Sequence, residues 1–484
     1  MKQNKFMRFM TSRALILTLQ VVASGVLLYF VYLTKLLPVK YFAILAAILA
    51  VLVLLFWIII QTGKKKIVEG KTSKRTIISK VLSLIVSIVL VIGSTFAARG
   101  NTFLNNVQTT TQKYAINVIV LKDGDYGTAS LDGLKGVNFG RSYEKEKATL
   151  NKALAQMEET IDTQKYTTYD TYSQLADALY NKEVDAIVVG TQYKSMLELN
   201  HEGFDEETRI VKTYEFDKKA KSVTTAVTDV TEKPFNVYVT GIDTYGSVST
   251  VSRSDVNLIV TVNPKTKQIL MTSIPRDCEI ELHKNGKMDK LTHTGIFGVD
   301  CTISSVENYM GIDLNYYARV NFSSVVDIVD ALGGITVNSP FAFTTLHGTF
   351  QIHEGENTLN GEQTLGFVRE RYSLPDGDRE RSRNQMRAVE AMINKAISPS
   401  IITNYASIMN AVSGSFQTNM SQSEMTSLIK MQLNDMKGWD IKQIQVSGQG
   451  TTTWSPANGF NAYVMIPNEA CVENAKKLIE KIDS

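Results

Sequence analysis

The sequence predicts an α/β protein tethered to a membrane: three N-terminal transmembrane helices, a small α/β unit, then a larger one. Three observations predict it. Three long apolar runs fill the first hundred residues. Beyond them, short apolar strands alternate with amphipathic helices. Charge divides sharply between the two regions: of 51 Lys+Arg and 48 Asp+Glu, fourteen bases and one acid, Glu69, fall in residues 1–100. That leaves +13 on the first region and −10 on the remainder. The 484 residues are 44% hydrophobic and 20% charged, which excludes a disordered chain or a disulfide-knot scaffold. The length calls for two or three structural units.

The runs Ala14–Thr34, Tyr41–Gln61 and Val81–Ala98 are each long enough for a bilayer span. A cleaved signal peptide has a shorter apolar core than the first run, and two more spans follow here. Lys2, Lys5, Arg8 and Arg13 precede the first span, and seven bases from Lys64 to Lys80 separate the second from the third. Only Lys35 and Lys40 lie between the first and second. The positive-inside rule therefore predicts a cytoplasmic tail at 1–13, spans within 14–99, a cytoplasmic loop at 62–80 and an extracellular remainder. Nucleic-acid binding by that loop is disfavoured, because it is too short for two packed helices.

Residues 100–220 read as an accessory α/β domain. Tyr114–Leu121 and Val184–Val189 have the pattern of buried strands, and Arg209–Tyr214 of another. Glu144–Glu159, Thr171–Tyr180 and a segment through Leu199 read as helices. The stretch LADALYNKEVDAIVVG resembles one lobe of an extracellular solute-binding protein. Asp217–Lys233 reads as the connection onward, and the second domain runs from 234 to 484.

Chemistry concentrates there. Asn236–Gly241 is a strand leading into Gly241-Ile242-Asp243-Thr244, and Ser252-Arg253-Ser254-Asp255 opens the strand Val256–Val262. Gln268–Ile274 ends in Pro275-Arg276-Asp277. Leu365–Arg371 reads as a strand with Arg369 and Arg371 on one face and Glu370 on the other. After the turn Pro375–Asp378, a helix begins on which Arg381 and Gln385, four apart, share a face. Arg presents a planar fork suited to phosphate oxygens, and Mg²⁺ takes one or two carboxylates plus phosphates and water. Asp243 and Asp255 beside an Arg cradle therefore suit a metal–pyrophosphate ligand. For any one residue the alternative is a salt bridge on a solvated face; for the whole set it is not. The apolar face of Val325–Leu332 fits either a lipid tunnel or a packed core. Ile441–Val446, Ala462–Ile466 and a helix at Glu469–Ile482 read as completing the fold.

Cys278, Cys301 and Cys471 are an odd set; Cys278 and Cys301 are near in sequence, and spacing leaves their pairing open. No C-x-x-C or H-x-x-x-H occurs, and the five His residues read as structural.

The series GIDT, SRSD, SIPRD, DKLTH, YYARVNF, ALGGI, FVRER and DRERSRNQ, in order across 235–397, resembles the LytR–CpsA–Psr family. Three spans and an accessory domain make the arrangement similar to that of streptococcal capsule-cluster members. The resemblance implies an α-β-α layered domain with a central mixed sheet. It also implies a phosphotransferase that moves capsular polysaccharide or a similar glycopolymer from an undecaprenyl-pyrophosphate carrier to peptidoglycan. By motif position, Asp243 and Asp255 would hold Mg²⁺; Arg276, Arg369, Arg371, Arg381 and Gln385 would bind the pyrophosphate. Asp243, Arg276 and Arg371 would be catalytic, with Asp243 the candidate for taking the hydroxyl proton. Asp378 would orient the Arg set, and Arg253 and Asp277 would brace it. Arg383 is not carried over, because Asn384 stands where the family often has Arg. A membrane-bound regulator of capsule transcription is the competing reading, and a binding module without chemistry a third.

Overall fold

The structure, a computed structural model, describes residues 12–34, 37–62, 74–106, 111–142, 147–161, 165–197, 200–219, 224–242, 248–398 and 416–483. Asp243, most of the predicted cytoplasmic tail and loop bases Lys64, Lys65, Lys66 and Lys71 lie outside the described residues. The chain divides into two compact units: residues 1–107 with 397–413 and 421–437, and residues 108–396 with 414–420 and 438–484.

The first unit holds α1 (Arg13–Thr34), α2 (Val39–Thr62) and α3 (Lys74–Asn106). Each contains a segment long and apolar enough to cross a membrane. Large apolar side chains such as Val22, Leu54 and Ile88 are about half exposed, as lipid-facing positions require. Where α1 meets α3 the seam is polar: Ser83 Oγ donates to Gln20 Oε1 at 2.6 Å, both buried. That satisfies groups which hydrocarbon would leave unpaired.

Among the described residues the second unit contains two large sheets, of five and six strands, and four two-stranded ones. The smaller is built from β1 (Thr111–Leu121), β2 (Asn138–Ser142), β3 (Lys165–Tyr169), β4 (Ala186–Gly190) and β5 (Thr208–Lys219), in the order β3-β2-β4-β1-β5. It is mixed: β2 runs parallel to β3 and β4, and β1 antiparallel to β4 and β5. Helices α4 (Lys147–Glu158) and α5 (Tyr172–Tyr180) fall close to their predicted spans, and α6 (Tyr193–Leu197) lies in the third predicted helical segment. Strands β2 and β3 escaped the sequence reading. Asn-Phe-Gly-Arg-Ser and Lys-Tyr-Thr-Thr-Tyr hold few aliphatic residues, and β3 is a largely exposed edge.

The larger sheet has β6 (Phe235–Ile242), β7 (Ser254–Asn263), β8 (Gln268–Ser273), β9 (Tyr316–Val320), β10 (Phe416–Thr418) and β11 (Asp440–Gln445), ordered β10-β9-β6-β7-β8-β11. Strands β6, β7 and β8 are antiparallel neighbours, while β9 joins β6 and β11 joins β8 in parallel. Both edge strands come from the C-terminal part of the chain, which therefore completes the sheet. On one face α7 (Val299–Met310) and α11 (Glu469–Asp483) bury Val299, Ile303, Val306, Val472 and Ile479 against Tyr238, Ile259 and Leu270. Ile444 joins that core, so its neighbours Gln443 and Gln445 point to the opposite face. There they meet α10 (Asp378–Ala396): Gln445 Nε2 donates to the Arg379 carbonyl at 3.1 Å, and Gln443 reaches Glu390. The result is an α-β-α sandwich around a mixed sheet. A hairpin of β12 (Gly448–Ser455) and β13 (Phe460–Pro467) follows β11.

One segment departs from its expectation. LGFVRER is no strand: α9 (Gly361–Arg369) contains most of it. The alternation of Arg369 and Arg371 was real, but a helix-start signal upstream overrides it. Asn360 accepts from the Gln363 N–H at 2.9 Å, and the Gln363 side chain accepts from the Asn360 N–H at 3.0 Å. The helix ends at Glu370, whose backbone is extended. A similar reciprocal cap, Asn321 with Ser324, starts α8 (Phe322–Ala331). All three cysteines are free, with Cys278 and Cys301 buried.

Candidate functional site

The parallel strands β6 and β9 end on the side where β7 begins and β8 ends, so four strand termini converge. Such a convergence is where open α/β sheets place ligands. Asp255 is the second residue of β7, and Arg276 follows β8. Arg276 Nη1 donates to Asp255 Oδ2 at 2.6 Å, and Thr292 Oγ1 donates to Asp255 Oδ1 at 2.8 Å. The segment before Asp255 is pinned by Gly295: a Cβ there would lie 2.6 Å from the Ser254 nitrogen and collide with the Ser252 carbonyl.

Around Arg276 the charges interleave. Its Nε lies 3.8 Å from carboxylate oxygens of both Asp277 and Asp378. Asp378, the first residue of α10, holds Arg381 Nη2 at 2.7 Å, and Lys290 Nζ lies 3.1 Å from Asp277. Burial opposes the Asp255 charge, but Arg276, Arg253 and Arg381 overcome it and hold the carboxyl well below the usual range. Burial likewise opposes the charge of Arg276, and Asp255, Asp277 and Asp378 raise its pKa above the ordinary value. Arg381 is different: burial lowers its pKa, and Arg276 lowers it further. Among the described residues its Nε has no hydrogen-bond partner, although the side chain is buried. A buried guanidinium with a spare N–H and cationic neighbours is a place for an anion.

All of these but Asp378 line a cavity of about 970 Å³. Arg253, Arg276, Lys290, Arg369, Arg371 and Arg381 face it, against Asp255, Asp277 and Glu202. Gln385 lines it too, one turn from Arg381, with its Nε2 donating to the Val368 carbonyl at 3.4 Å. Arg369 stacks on Phe322 at 4.2 Å from the ring centroid and Arg371 on Tyr372 at 4.4 Å. A second wall is apolar, from Val320, Phe322, Val325, Leu365 and Val368. Val325 is thus the part of Val325–Leu332 that faces the cavity.

The structure brings together Arg253, Asp255, Arg276, Asp277, Arg369, Arg371, Asp378, Arg381 and Gln385 as the sequence expected. Arg383 pairs instead with Asp376 and Glu380, and Arg387 with Glu380, so neither joins the cradle. Sequence reasoning left out Lys290 and Thr292, although both lie in the DKLTH motif it had singled out. It also missed the service of Glu370, which is 3% exposed. Its carboxylate accepts from the backbone N–H groups of Leu346, Arg371 and Ser373 at 2.7, 3.0 and 3.1 Å. Glu370 thereby fixes the chain between the two Arg residues. Glu370→Ala is expected to lower stability by about 3 kcal/mol, since three backbone donors lose a charged acceptor. A denaturant midpoint equal to that of the parent protein would refute this.

Comparison with known proteins follows the same division. A model of the LytR_cpsA_psr family matches residues 197–480. A model described as NMT1/THI5 like matches residues 94–234. A polyisoprenyl-teichoic acid–peptidoglycan teichoic acid transferase TagU from Bacillus licheniformis is 37% identical over 217 residues, 45% of this chain and 70% of that protein. TagU from Enterococcus faecalis is 35% identical over 243 residues, covering 49% and 78% respectively. The crystal structure of B. subtilis TagV aligns at 28% identity and a TM-score of 0.45, covering 52% of this chain and 97% of that one.

Proposed function

The chain belongs to the LytR–CpsA–Psr family, and from that premise we propose that it transfers a glycopolymer from a polyprenyl-pyrophosphate carrier to peptidoglycan. The two TagU relatives are named as polyisoprenyl-teichoic acid–peptidoglycan teichoic acid transferases. Here we assign capsular polysaccharide or a similar glycopolymer as cargo, undecaprenyl as the lipid, and the outer face of the membrane as the place. The Lys/Arg bias of the tail and basic loop supports that orientation.

One observation carries the reading: among the described residues, a single cavity holds six cationic side chains against three carboxylates and continues into an apolar wall. A doubly charged pyrophosphate diester with a polyprenyl tail has that chemistry. In the proposed step the acceptor hydroxyl oxygen bonds to the glycan-bearing phosphorus. The bridging P–O bond breaks toward the lipid phosphate, and the hydroxyl proton ends on that departing phosphate. Asp243 is our candidate to carry the proton. Arg276, Arg369, Arg371 and Arg381 neutralise the charge that builds on the phosphates, and Gln385 donates to an oxygen. Asp378 holds the Arg381 side chain, Glu370 fixes the backbone that carries Arg369 and Arg371, and Arg253, Asp277 and Lys290 brace the set.

We assign Mg²⁺ to Asp255 and Asp243. Among the described residues no three His, Cys, Asp or Glu side chains gather as ligands. A hard cation that takes phosphates and water beside one or two carboxylates fits that donor set. When bound, it would supply charge neutralisation on the phosphate oxygens.

The test is direct. The full chain in detergent, given lipid-pyrophosphate-linked glycan, peptidoglycan and Mg²⁺, should release lipid phosphate and attach glycan. Arg371→Ala should cut the rate about a hundredfold, the usual cost of one anion-stabilising donor. A parent protein that does neither, or a variant as fast as the parent, would end the proposal.

A further inference from the structure

The cavity has a third wall that neither the lipid nor the pyrophosphate explains. Asn458, Phe460, Asn461 and Tyr463, from the β12–β13 hairpin, form it with Asn200 of the small α/β region. It carries no cation and is rich in amides and aromatic rings. Tyr463 is 54% exposed, and its cross-strand partner is Thr452. Asn461 pairs with Trp454, itself 60% exposed, so one face of the hairpin presents two aromatic rings, an amide and a hydroxyl. Asn458 is 5% exposed, and its side-chain NH₂ has no hydrogen-bond acceptor among the described residues. A buried donor left open beside a cavity asks for a ligand oxygen.

Aromatic faces take the C–H side of a pyranose ring, while amides and hydroxyls bond its O–H groups. The wall therefore has the chemistry of a sugar site. Strand order says which sugar. The apolar wall lies at the β9 end of the sheet, where Val320, Phe322 and Val325 sit. The hairpin is fastened at the β8 end: Met465 N–H donates to the Asp277 carbonyl at 2.7 Å, and Cys278 bridges Met465. Asp255, in β7, and Arg276, just after β8, stand between. In phosphoryl transfer the attacking and departing oxygens are roughly in line. A lipid phosphate leaving toward the β9 side requires its nucleophile from the β8 side.

We propose that this wall is the subsite for the acceptor glycan, with the sugar that offers the hydroxyl resting on Tyr463 and held by Asn458, Asn461 and Asn200. It rests on the transfer reading above and deepens it. The small α/β region is thereby part of the substrate site. Its contact with the hairpin is firm: Ala457, at the turn, is buried among Tyr172, Leu175 and Phe204.

The experiment uses the full chain in detergent and a short, soluble, uncrosslinked peptidoglycan glycan strand, with no lipid substrate present. Binding is read by calorimetry for the parent protein, Tyr463→Ala, Tyr463→Phe and Asn461→Ala. Tyr463→Ala should weaken binding roughly tenfold and Tyr463→Phe far less, because the ring face is retained. Affinity for the lipid-linked donor, measured on the same variants, should shift much less than acceptor affinity. A parent protein that does not bind the strand overturns the proposal. So does Tyr463→Ala binding like the parent, or a donor shift as large as the acceptor shift, which would make the wall a donor-sugar site. Strand binding with the expected variant pattern, in a protein that releases no lipid phosphate, upholds the subsite while ending the transfer reading.

Discussion

Arg276→Met is expected to reduce glycan transfer by about a thousandfold, roughly 4 kcal/mol of transition-state stabilisation. Arg276 is the residue on which the site's charges meet: it bonds Asp255 directly and lies 3.8 Å from both Asp277 and Asp378. Its removal also leaves the buried Asp255 without its guanidinium partner, with Thr292 Oγ1 still donating to Oδ1, which costs stability. The two losses separate in the double variant Arg276→Met, Asp255→Asn. That protein should melt higher than Arg276→Met alone, because the uncompensated carboxylate is gone, yet transfer no faster. Recovery of the rate in the double variant would mean that Arg276 only neutralises Asp255. Acid adds a check with a fixed sign. Since the folded-state pKa of Asp255 is depressed, its stabilisation is complete above the unfolded value of about 4 and is lost as pH falls below it. Asp255→Asn should lose that part of the acid dependence.

Asp289→Ala should be the most damaging change to folding outside the cradle, at about 3–5 kcal/mol. Asp289 is 1% exposed and accepts from His293 Nδ1, Ser455 Oγ and the Ala457 N–H, all at 2.8 Å. Truncation strands all three at once, and with them the hairpin's attachment beside the cavity. Burial opposes its charge, but the bonds from His293, Ser455 and Ala457 outweigh it, so its pKa is lowered. Its contribution is therefore present above about pH 4 and fades as the solution becomes more acidic. Thermal melts at neutral and at low pH test both halves. A melting point within a degree or two of the parent at neutral pH would show that the hairpin is held by other means.

Sequence and structure agree most closely where one physical rule dominates. The spans follow from apolar length alone. Strands β6, β7 and β8 follow from apolar runs bounded by turns, and the cradle follows from Arg and Asp residues gathered at strand ends. The failures have a common cause. LGFVRER carries both an alternation and a helical period, and only the cap at Asn360 decides between them. Glu370 looked like the odd residue out on a strand; its value lies in three backbone donors brought to it by folding. The third wall was illegible for a similar reason. Asn200 and Asn458 are far apart in the chain, and nothing in their local sequence joins them. Lys290 and Thr292 were legible, since their motif was in hand, but their roles emerge only when β8 sets Arg276 beside them.

The two edges of the larger sheet have a consequence for how the protein is made. During synthesis, β6 to β9 exist well before either flanking strand. At ordinary ribosomal speeds of about 5–20 residues per second, the chain from Val320 to Phe416 takes roughly 5–19 s to appear. For that interval two rows of backbone N–H and C=O groups stand open, a template for strands of other nascent chains. The newborn polypeptide is therefore most prone to clump late in its production, and a stop codon shortly before Phe416 would make that state permanent.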